Sequence, residues 1–195
     1  LINYDAESLG KFEGVLRYSK MLRAIDDTDP GIMNSFARMY MHKHLNPSTN
    51  VLSDYVLKFS SQIYLNSTNE YTMSSNTFTY NNITSDLVDI PDVNNYPERI
   101  IQIRNASTKA IIRQNVGRIY PLSGIVKLNG IIIESKAPIL IFVTPNSNDI
   151  APKFNQVINI EFNEIPGVTV TGEEDLIASL GAQGAALYTT FNRHG

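Results

Sequence analysis

Two histidines form the first pattern in this chain that suits metal chemistry. His42 and His44 lie two residues apart, so on a β-strand they would share one face, as zinc ligands can. A zinc site needs further ligands, and the only other histidine, His194, lies next to the end of the chain. The spacing therefore favours a surface or interface pair over a metal site.

Carboxylates provide two further candidates. Asp26, Asp27 and Asp29 carry oxygens that suit calcium, but the segment lacks the glycine and the distal glutamate of a calcium loop. We interpret it as a turn that ends a helix. Glu161 and Glu164 would be the carboxylate pair of a polysaccharide-cleaving enzyme. Residues three apart on one strand point to opposite faces, which argues against that function.

Motifs for nucleophilic, nucleotide or metalloprotease chemistry are absent from the sequence. It contains no G-x-S-x-G, no G-x-x-x-x-G-K and no H-E-x-x-H. Gly181 and Gly184 fit a helix end and a loop better than a nucleotide-binding loop, because no strand-glycine-helix order surrounds them. We therefore predict no enzymatic activity, no small-molecule substrate, no cofactor and no essential metal.

Composition narrows the class of partner. The formal net charge of −3 creates no global field that would attract nucleic acid or an anionic membrane. The chain has no cysteine, so it has no disulfide framework. No apolar run approaches the roughly 20 residues that a membrane-spanning helix needs. We predict neither a nucleic-acid partner nor a membrane partner.

Charged residues are segregated in the middle of the chain. An acidic block has no basic residue and comprises Glu70, Asp86, Asp89, Asp92 and Glu98. A basic block follows without any acidic residue and comprises Arg99, Arg104, Lys109, Arg113, Arg118 and Lys127. Two interpretations stay open. The blocks complement each other within one sheet, or they form a docking surface for a neighbouring subunit.

The first half of the chain predicts one helix and two strands. An amphipathic helix is expected from Ala6 to Asp26, and Pro30 and Gly31 prevent its continuation. Ile32 to His44 alternates with apolar residues on both faces, which predicts a strand covered on both sides. After a turn at residues 46–50, Val51 to Leu65 predicts a second strand.

The sequence pattern predicts no clear helix or strand from Asn66 to Pro97, where Asn, Ser and Thr dominate. This segment is either a long loop or a pair of short edge strands, anchored by Tyr71, Phe78 and Tyr80. The Ile-rich region after it predicts strands at Ile100–Ile103, from Ala110 on, and at Ile125–Lys127, Ile131–Ile133, Pro138–Thr144 and Val157–Phe162. Asn129-Gly130 lies between two of them and predicts a hairpin turn, because both residues accept positive φ.

Residues 166–195 predict a strand-helix-strand unit. Val168–Val170 is the first strand, a capping box of Thr171 and Glu174 starts a helix from Gly172 to Leu180, and Leu187–Asn192 is the second strand. Six apolar residues of this unit are the candidate centre of an interface: Leu176, Ile177, Leu180, Leu187, Tyr188 and Phe191. The competing interpretation is that they complete the core of their own domain.

These elements predict an α+β chain, predominantly antiparallel β-sheet with two amphipathic helices. We expect three parts. Residues 1–65 are a helix and two strands that continue an upstream domain, residues 66–165 are a β-rich domain with Asn-, Ser- and Thr-rich loops, and residues 166–195 are a short β-α-β unit. Leu1 opens the chain inside a strand-like stretch, so we expect the C-terminal part of a larger multidomain protein.

The segment from Phe12 to His44 carries a resemblance. Its amphipathic helix, its acidic turn Asp-Asp-Thr-Asp-Pro-Gly and its two-faced strand resemble the C-terminal region of contractile-tail bacteriophage baseplate wedge proteins. These belong to the baseplate-J-like family, and the T-even-type wedge subunits are the most similar. The resemblance continues loosely through the Ile-rich strands to the C-terminal unit.

This resemblance implies a structural component of the virion, located in the tail baseplate and assembled in the host cytoplasm. Such wedge proteins form a ring around the tail hub through homo-oligomeric contacts, including dimer contacts, and through contacts with other wedge subunits. The ring rearranges when the tail contracts during host entry. The family defines an interface and not an active site, so it assigns no functional residues one by one.

A different class of function stays open. A β domain that is rich in Asn, Ser, Thr and Tyr and lacks catalytic groups suits a receptor- or carbohydrate-binding module of a tail fibre or adhesin. Tyr71, Phe78 and Tyr80 would then stack against sugar rings. Glycan binding would favour this function, whereas self-association or binding to other baseplate subunits would favour the wedge protein.

Overall fold

The computed structural model describes residues 1–9, 14–32, 35–59, 61–151, 157–160, 162, 170–173 and 188–191. Antiparallel strands are the main regular structure, and two short α-helices lie near the N-terminus. The predicted α+β class with mainly antiparallel sheet is therefore confirmed. The helices are α1 (Ile2–Tyr4), which continues into a π-helical turn at Asp5–Leu9, and α2 (Tyr18–Asp26). A 3₁₀ turn follows at Pro121–Ser123.

Eleven strands occur in this described part of the chain. They are β1 (Met41–Leu45), β2 (Ser53–Lys58), β3 (Met73–Ser75), β4 (Phe78–Tyr80), β5 (Ile83–Pro91), β6 (Arg99–Asn105), β7 (Ile111–Tyr120), β8 (Ile125–Ile131), β9 (Ile139–Val143), β10 (Val170–Glu173) and β11 (Tyr188–Phe191). Nine of them form one sheet in the order β1-β9-β3-β5-β6-β7-β8-β2, with β4 also paired to β5. β10 and β11 form a separate antiparallel pair.

One hydrophobic core lies against the nine-stranded sheet. The strands contribute alternate residues to it, because successive side chains of a strand project to opposite faces. Fully buried members include Leu87, Ile101, Ile103, Val126, Leu128 and Ile141. Leu45 and Leu57, which precede the expected boundary at residue 65, belong to the same core. A single sheet and core therefore span that boundary.

The expected helix from Ala6 to Asp26 is wrong as one element. Leu16 donates to and accepts from the backbone of Ile150, both at 2.9 Å, so its peptide groups are not available to a helix. Asp149 Oδ1 then accepts from the N–H of Tyr18 at 2.9 Å and caps the N-terminus of α2. Two residues distant in sequence thus decide where the helix begins.

The expected strand from Ile32 to His44 is also wrong for most of its length. Residues 35–40 have no regular structure, and only the last positions enter β1. The hydroxyl of Tyr18 accepts from the N–H of Ala37 at 3.0 Å and donates to its C=O at 3.2 Å. This segment therefore docks on α2. The second expected strand is shorter than Val51–Leu65, since β2 ends at Lys58.

The segment from Asn66 to Pro97 is neither a long loop nor a pair of edge strands. It contains β3, β4 and the nine-residue β5, which lies inside the sheet between β3 and β6. Asn81 and Asn82 have φ of 49° and 58° and form the tight turn between β4 and β5. Two consecutive asparagines with positive φ are a hairpin signal that the sequence contained.

Asn129-Gly130 does not form the predicted hairpin turn. β8 runs through both residues, and Gly130 has a φ of 54° within the strand. Ser53 pairs with Ile131 and Tyr55 with Leu128, so β8 uses one residue more than β2 over this stretch. Gly130 therefore adopts its positive φ in a β-bulge, which favours this conformation of glycine as a hairpin turn does.

The later strands follow the sequence more closely. Those expected at Ile100–Ile103, from Ala110 on, and at Pro138–Thr144 are confirmed as β6, β7 and β9. For Val157–Phe162, the described residues 157–160 and 162 form no strand.

In the C-terminal region only two strands are described, so the β-α-β unit at residues 166–195 stays a prediction. The strand expected at Leu187–Asn192 is present as β11 (Tyr188–Phe191), which pairs with β10. Of the strand expected at Val168–Val170, the described residue Val170 lies in β10, which extends to Glu173. Gly172 is therefore in a strand, and the helix expected from Gly172 to Leu180 does not begin there. Residues 174–187 lie outside the described residues.

Candidate functional site

The two charge blocks meet across neighbouring strands, and their most buried pair is Asp89 with Arg99. Asp89 lies opposite Ile101 in the β5–β6 register, so Arg99, two residues earlier, is its diagonal neighbour on the same face. The side chains are 0% and 1% exposed, and Arg99 Nε donates to Asp89 Oδ2. The carboxylate also accepts from the N–H and hydroxyl of Thr72 and from the N–H of Met73, at 2.7–2.9 Å.

The rest of the Arg99 guanidinium holds the chain that precedes β3. Its Nη1 donates to the C=O of Asn66, and its Nη2 donates to the C=O of Glu70 at 2.7 Å. A buried guanidinium is expensive unless its N–H groups are satisfied, and here they reach one carboxylate and several carbonyls. This pair therefore fastens residues 66–72 to β5 and β6.

A second pair lies on the opposite face of the same two strands. Asp86 and Arg104 are directly opposite in the register and form two hydrogen bonds of 2.8 and 2.9 Å. Hydrogen bonding to Asp86 is the main cause that raises the pKa of Arg104 above its ordinary value. Lys109 Nζ lies 3.7 Å from Asp86, and the Arg104 guanidinium lies 5.1 Å from the centre of the Tyr71 ring.

A third cluster closes the turn between β5 and β6. Arg118 of β7 donates to both Asp92 and Glu98, the latter at 2.9 Å. Asn95 Nδ2 and the N–H of Asn94 also donate to Asp92, at 3.1 and 3.0 Å. These bonds, with that from Asn95 first, lower the pKa of Asp92 to about 2. The turn is thus tied to the third strand of the meander.

The lowered pKa of Asp92 predicts an acid-sensitive contribution to stability. A carboxyl whose pKa is lowered on folding stabilises the protein above its ordinary pKa of 3.8, and loses that contribution as the pH falls towards 2. Wild type should therefore be more stable than Asp92→Asn at pH 7, and the difference should shrink below about pH 5. Urea unfolding across this range measures it, and a difference that does not change with pH would contradict the assignment.

Every residue of the basic block contacts another part of the chain. Arg113 donates to the hydroxyl of Tyr80 and to the C=O of Gly130, and Lys127 lies 5.2 Å from the centre of the Tyr120 ring. The other four basic residues form the ion pairs described above: Arg99, Arg104, Lys109 and Arg118. This arrangement favours the interpretation in which the blocks complement each other within one sheet.

The aromatic anchors of the expected carbohydrate site do not form a common surface. Phe78 and Tyr80 are buried in the core, at 3% and 8% exposure. Tyr71 is half exposed, but the Arg104 guanidinium covers its ring. Two of the three rings are therefore inaccessible to a sugar, which removes the structural basis for this choice of stacking residues.

The candidate metal ligands in the described part of the chain do not converge into a group of three or more. His42 and His44 lie side by side on β1 with ring centres 5.7 Å apart, and His42 also contacts the ring of Phe142. Asp29 accepts from the N–H of Gly31 at 2.7 Å, as expected for a turn after α2. Within the described ranges, no group of three or more His, Cys, Asp or Glu side chains is placed to hold a metal ion. Glu161 and Glu164 lie outside those ranges.

Most of the candidate interface residues also fall outside the described part of the chain. This holds for Leu176, Ile177, Leu180 and Leu187. Tyr188 and Phe191 are the terminal residues of β11, opposite Glu173 and Val170 of β10. The interface at this unit stays a prediction.

Two groups of exposed apolar side chains lie close together in the chain, one before β1 and one around β2. Phe36 and Tyr40 are 84% and 59% exposed in the segment that leads to β1, where a covered strand was expected. The second group lies on the edge strand β2 and around it, with Val51, Leu52, Val56 and Ile132 exposed. The exposure of Phe36 and Tyr40 was not expected, because a covered strand was predicted where residues 35–40 form none. In β2 the period-2 pattern assigns side chains to faces without stating which face is covered.

No protein-family model matches the sequence, and no curated protein matches it. No helix among the described residues has the length and apolar character needed to cross a membrane.

Proposed function

We propose that this chain is a structural component of the baseplate wedge in a contractile bacteriophage tail. It acts by association with copies of itself and with other wedge subunits, in a ring that rearranges when the tail contracts. Its place is the virion, after assembly in the host cytoplasm. The proposal starts from the resemblance of the segment between Phe12 and His44 to the baseplate-J-like family.

The observation that carries the proposal is the exposure of Phe36 and Tyr40 within that same segment. Large aromatic side chains concentrate binding energy at protein interfaces. The bonds between Tyr18 and Ala37 hold this stretch on α2. Met39 packs against a second, smaller hydrophobic cluster formed by Leu9, Leu16 and Ile150. A chain fixed in this way loses little conformational entropy when a partner covers its aromatic rings.

The charge pairs of the sheet support a scaffold role. The buried Asp89–Arg99 pair and the pairs on the opposite face link β5, β6 and β7 and the loops around them. Satisfied polar networks of this kind make a fold rigid and specific. A rigid sheet with fixed aromatic side chains on an adjoining segment suits a protein that transmits force between subunits.

Replacing both exposed aromatic residues tests the proposal. The variant Phe36→Ser/Tyr40→Ser should weaken binding to purified wedge subunits of a contractile-tail phage at least tenfold, since each interface aromatic of this kind contributes about 2 kcal/mol. Its unfolding by urea should stay close to wild type, because both side chains are already exposed. Sedimentation velocity of mixtures with each subunit measures the binding.

Val93→Ser is the matched control, since Val93 is 90% exposed at the turn after β5 and lies outside the segment with the resemblance. It should bind as wild type does. A wild-type chain that binds no wedge subunit at tens of micromolar, or that binds a glycan array instead, would contradict the proposed function. If both variants lose the same amount of binding affinity, the binding surface does not lie at residues 35–40.

A further inference from the structure

β2 is the last strand of the nine-stranded sheet, and among the described residues it pairs only with β8. The N–H of Phe59 donates to the C=O of Gly124 at 2.7 Å, next to the pair Lys58–Ile125. In an antiparallel pair, hydrogen-bonded residues alternate along each strand. Leu57 and Tyr55 therefore direct their peptide groups to β8.

The remaining residues of the strand direct theirs to the open edge. These are Asp54, Val56 and Lys58, and all three side chains are exposed, Val56 by 55%. An edge of this kind presents unpaired N–H and C=O groups to any strand of suitable sequence. The side chains that accompany those groups then determine which strand is accepted.

The sequence of the edge is complementary to itself. When two copies of β2 are placed antiparallel with Val56 opposite Val56, each Asp54 faces the Lys58 of the other copy. Opposite charges directly across an antiparallel pair are favourable, and two exposed β-branched side chains meet at the centre. The residues brought opposite each other are those whose peptide groups face the open edge, so this register also completes the backbone hydrogen bonds.

Other registers of the same strand are less favourable. Centring the pair on Asp54 or on Lys58 places identical charges opposite each other, which is destabilising. Centring the pair on Tyr55 or on Leu57 places Val56 opposite Asp54 or Lys58, so a charged side chain faces an apolar one and the ion pairs are lost. We infer that β2 pairs antiparallel with β2 of a second copy of this chain, in the register centred on Val56.

The strand pair alone is a small interface. Stable complexes bury more than about 1,000 Å² in total, so a five-residue strand needs support from its surroundings. The exposed Val51, Leu52 and Ile132 lie at the N-terminal end of β2 and supply apolar area there. We expect a dimer with a dissociation constant in the micromolar range, at roughly −8 kcal/mol.

This inference deepens the proposed function, on which its biological meaning rests. A two-fold symmetric contact joins two copies and cannot be extended to a third. It therefore provides one kind of contact in a ring, and the other contacts need different surfaces. The pairing itself requires only this chain and can be measured without any other baseplate protein.

Charge reversal across the pair is the first test. Lys58→Asp and Asp54→Lys each place like charges at both ends of the strand pair, and each should weaken dimerisation about tenfold in sedimentation equilibrium. An equimolar mixture of the two variants restores opposite charges in the heterodimer, so its association should return to the wild-type value. Asp54 Oδ1 also accepts from the N–H of Gly130, so the unfolding of each variant is measured alongside.

Backbone substitution is the second test. Val56→Pro removes an N–H that faces the open edge and that β8 does not use, so it should abolish the dimer while β8 pairing persists. Val56→Thr keeps the branched shape and the N–H, and its dimer should match that of wild type within about threefold. Far-ultraviolet circular dichroism and urea unfolding establish that both variants are folded.

The outcomes separate this inference from the proposed function. A wild-type chain that stays monomeric up to hundreds of micromolar overturns the pairing, as does a dimer that Val56→Pro and the charge reversals leave unchanged. The wild-type chain could stay monomeric and bind a wedge subunit, with Val56→Pro abolishing that binding. This result would overturn the pairing with a second copy and show that the edge of β2 binds the wedge subunit instead. A dimer that behaves as expected but binds no wedge subunit supports the pairing and contradicts the proposed function.

Discussion

Asp89→Asn should destabilise the chain by about 3–5 kcal/mol, the usual cost of leaving one partner of a buried ion pair without compensation. Arg99 is 1% exposed and cannot regain water when the Asp89 charge is removed. The variant also weakens the hydrogen bonds that Asp89 accepts from Thr72 and Met73. Urea unfolding at pH 7 measures the loss, and amide hydrogen exchange of residues 66–73 reports whether this segment is released.

The matched control is Asp27→Asn. Asp27 forms an ion pair with Arg23 one turn earlier on α2, and both side chains are largely exposed. Such pairs contribute about 0.3–0.5 kcal/mol, so the control should lie close to wild type. If Asp89→Asn and Asp27→Asn unfold at the same urea concentration, the Asp89–Arg99 pair does not stabilise the fold.

Gly117→Ala should have the second largest effect, at about 3 kcal/mol or more. Gly117 lies in β7 between Ile101 of β6 and Leu128 of β8. A Cβ at this position would lie 2.0 Å from the C=O oxygen of Lys127 and 2.9 Å from the Cα of Leu128. Both are backbone atoms of a paired strand, so β7 and β8 would have to separate. Thermal and urea unfolding measure the change.

Gly130→Ala is the control for this prediction. Gly130 has a φ of 54°, but a Cβ there would meet only the side chain of Leu52, at 3.8 Å. The free energy of unfolding should fall only by the cost of placing an alanine at a positive φ, about 1–2 kcal/mol. A smaller loss for Gly117→Ala than for Gly130→Ala would show that the sheet yields at Gly117, contrary to this interpretation.

The class of the fold and part of its polar framework could be predicted from the sequence. Ile-rich apolar runs identified β6 and β9 and the start of β7, because β-branched side chains favour strands. The acidic and basic blocks were recognised as possible partners within one sheet. Asp86 and Arg104 prove to be direct cross-strand neighbours, and Asp89 and Arg99 diagonal ones.

Tertiary structure decided the features that depend on a distant partner. Polar residues made Asn66–Pro97 look like a loop, yet β5 is an interior strand because Arg99, Arg104 and Arg118 satisfy the carboxylates in and after it. Asn129-Gly130 accepts positive φ in a turn or in a bulge, and only pairing with β2 selects the bulge. Local propensity offers these alternatives, and long-range pairing chooses between them.

The candidate site shows the same division. His42, His44 and the aspartates of the acidic turn were identified by residue type, but type alone does not state which side chains converge. The sequence determined that β2 carries Asp54, Val56 and Lys58 at alternate positions. Only the tertiary structure made β2 the edge of the sheet and turned the peptide groups of these three residues outward, because β8 occupies the other side.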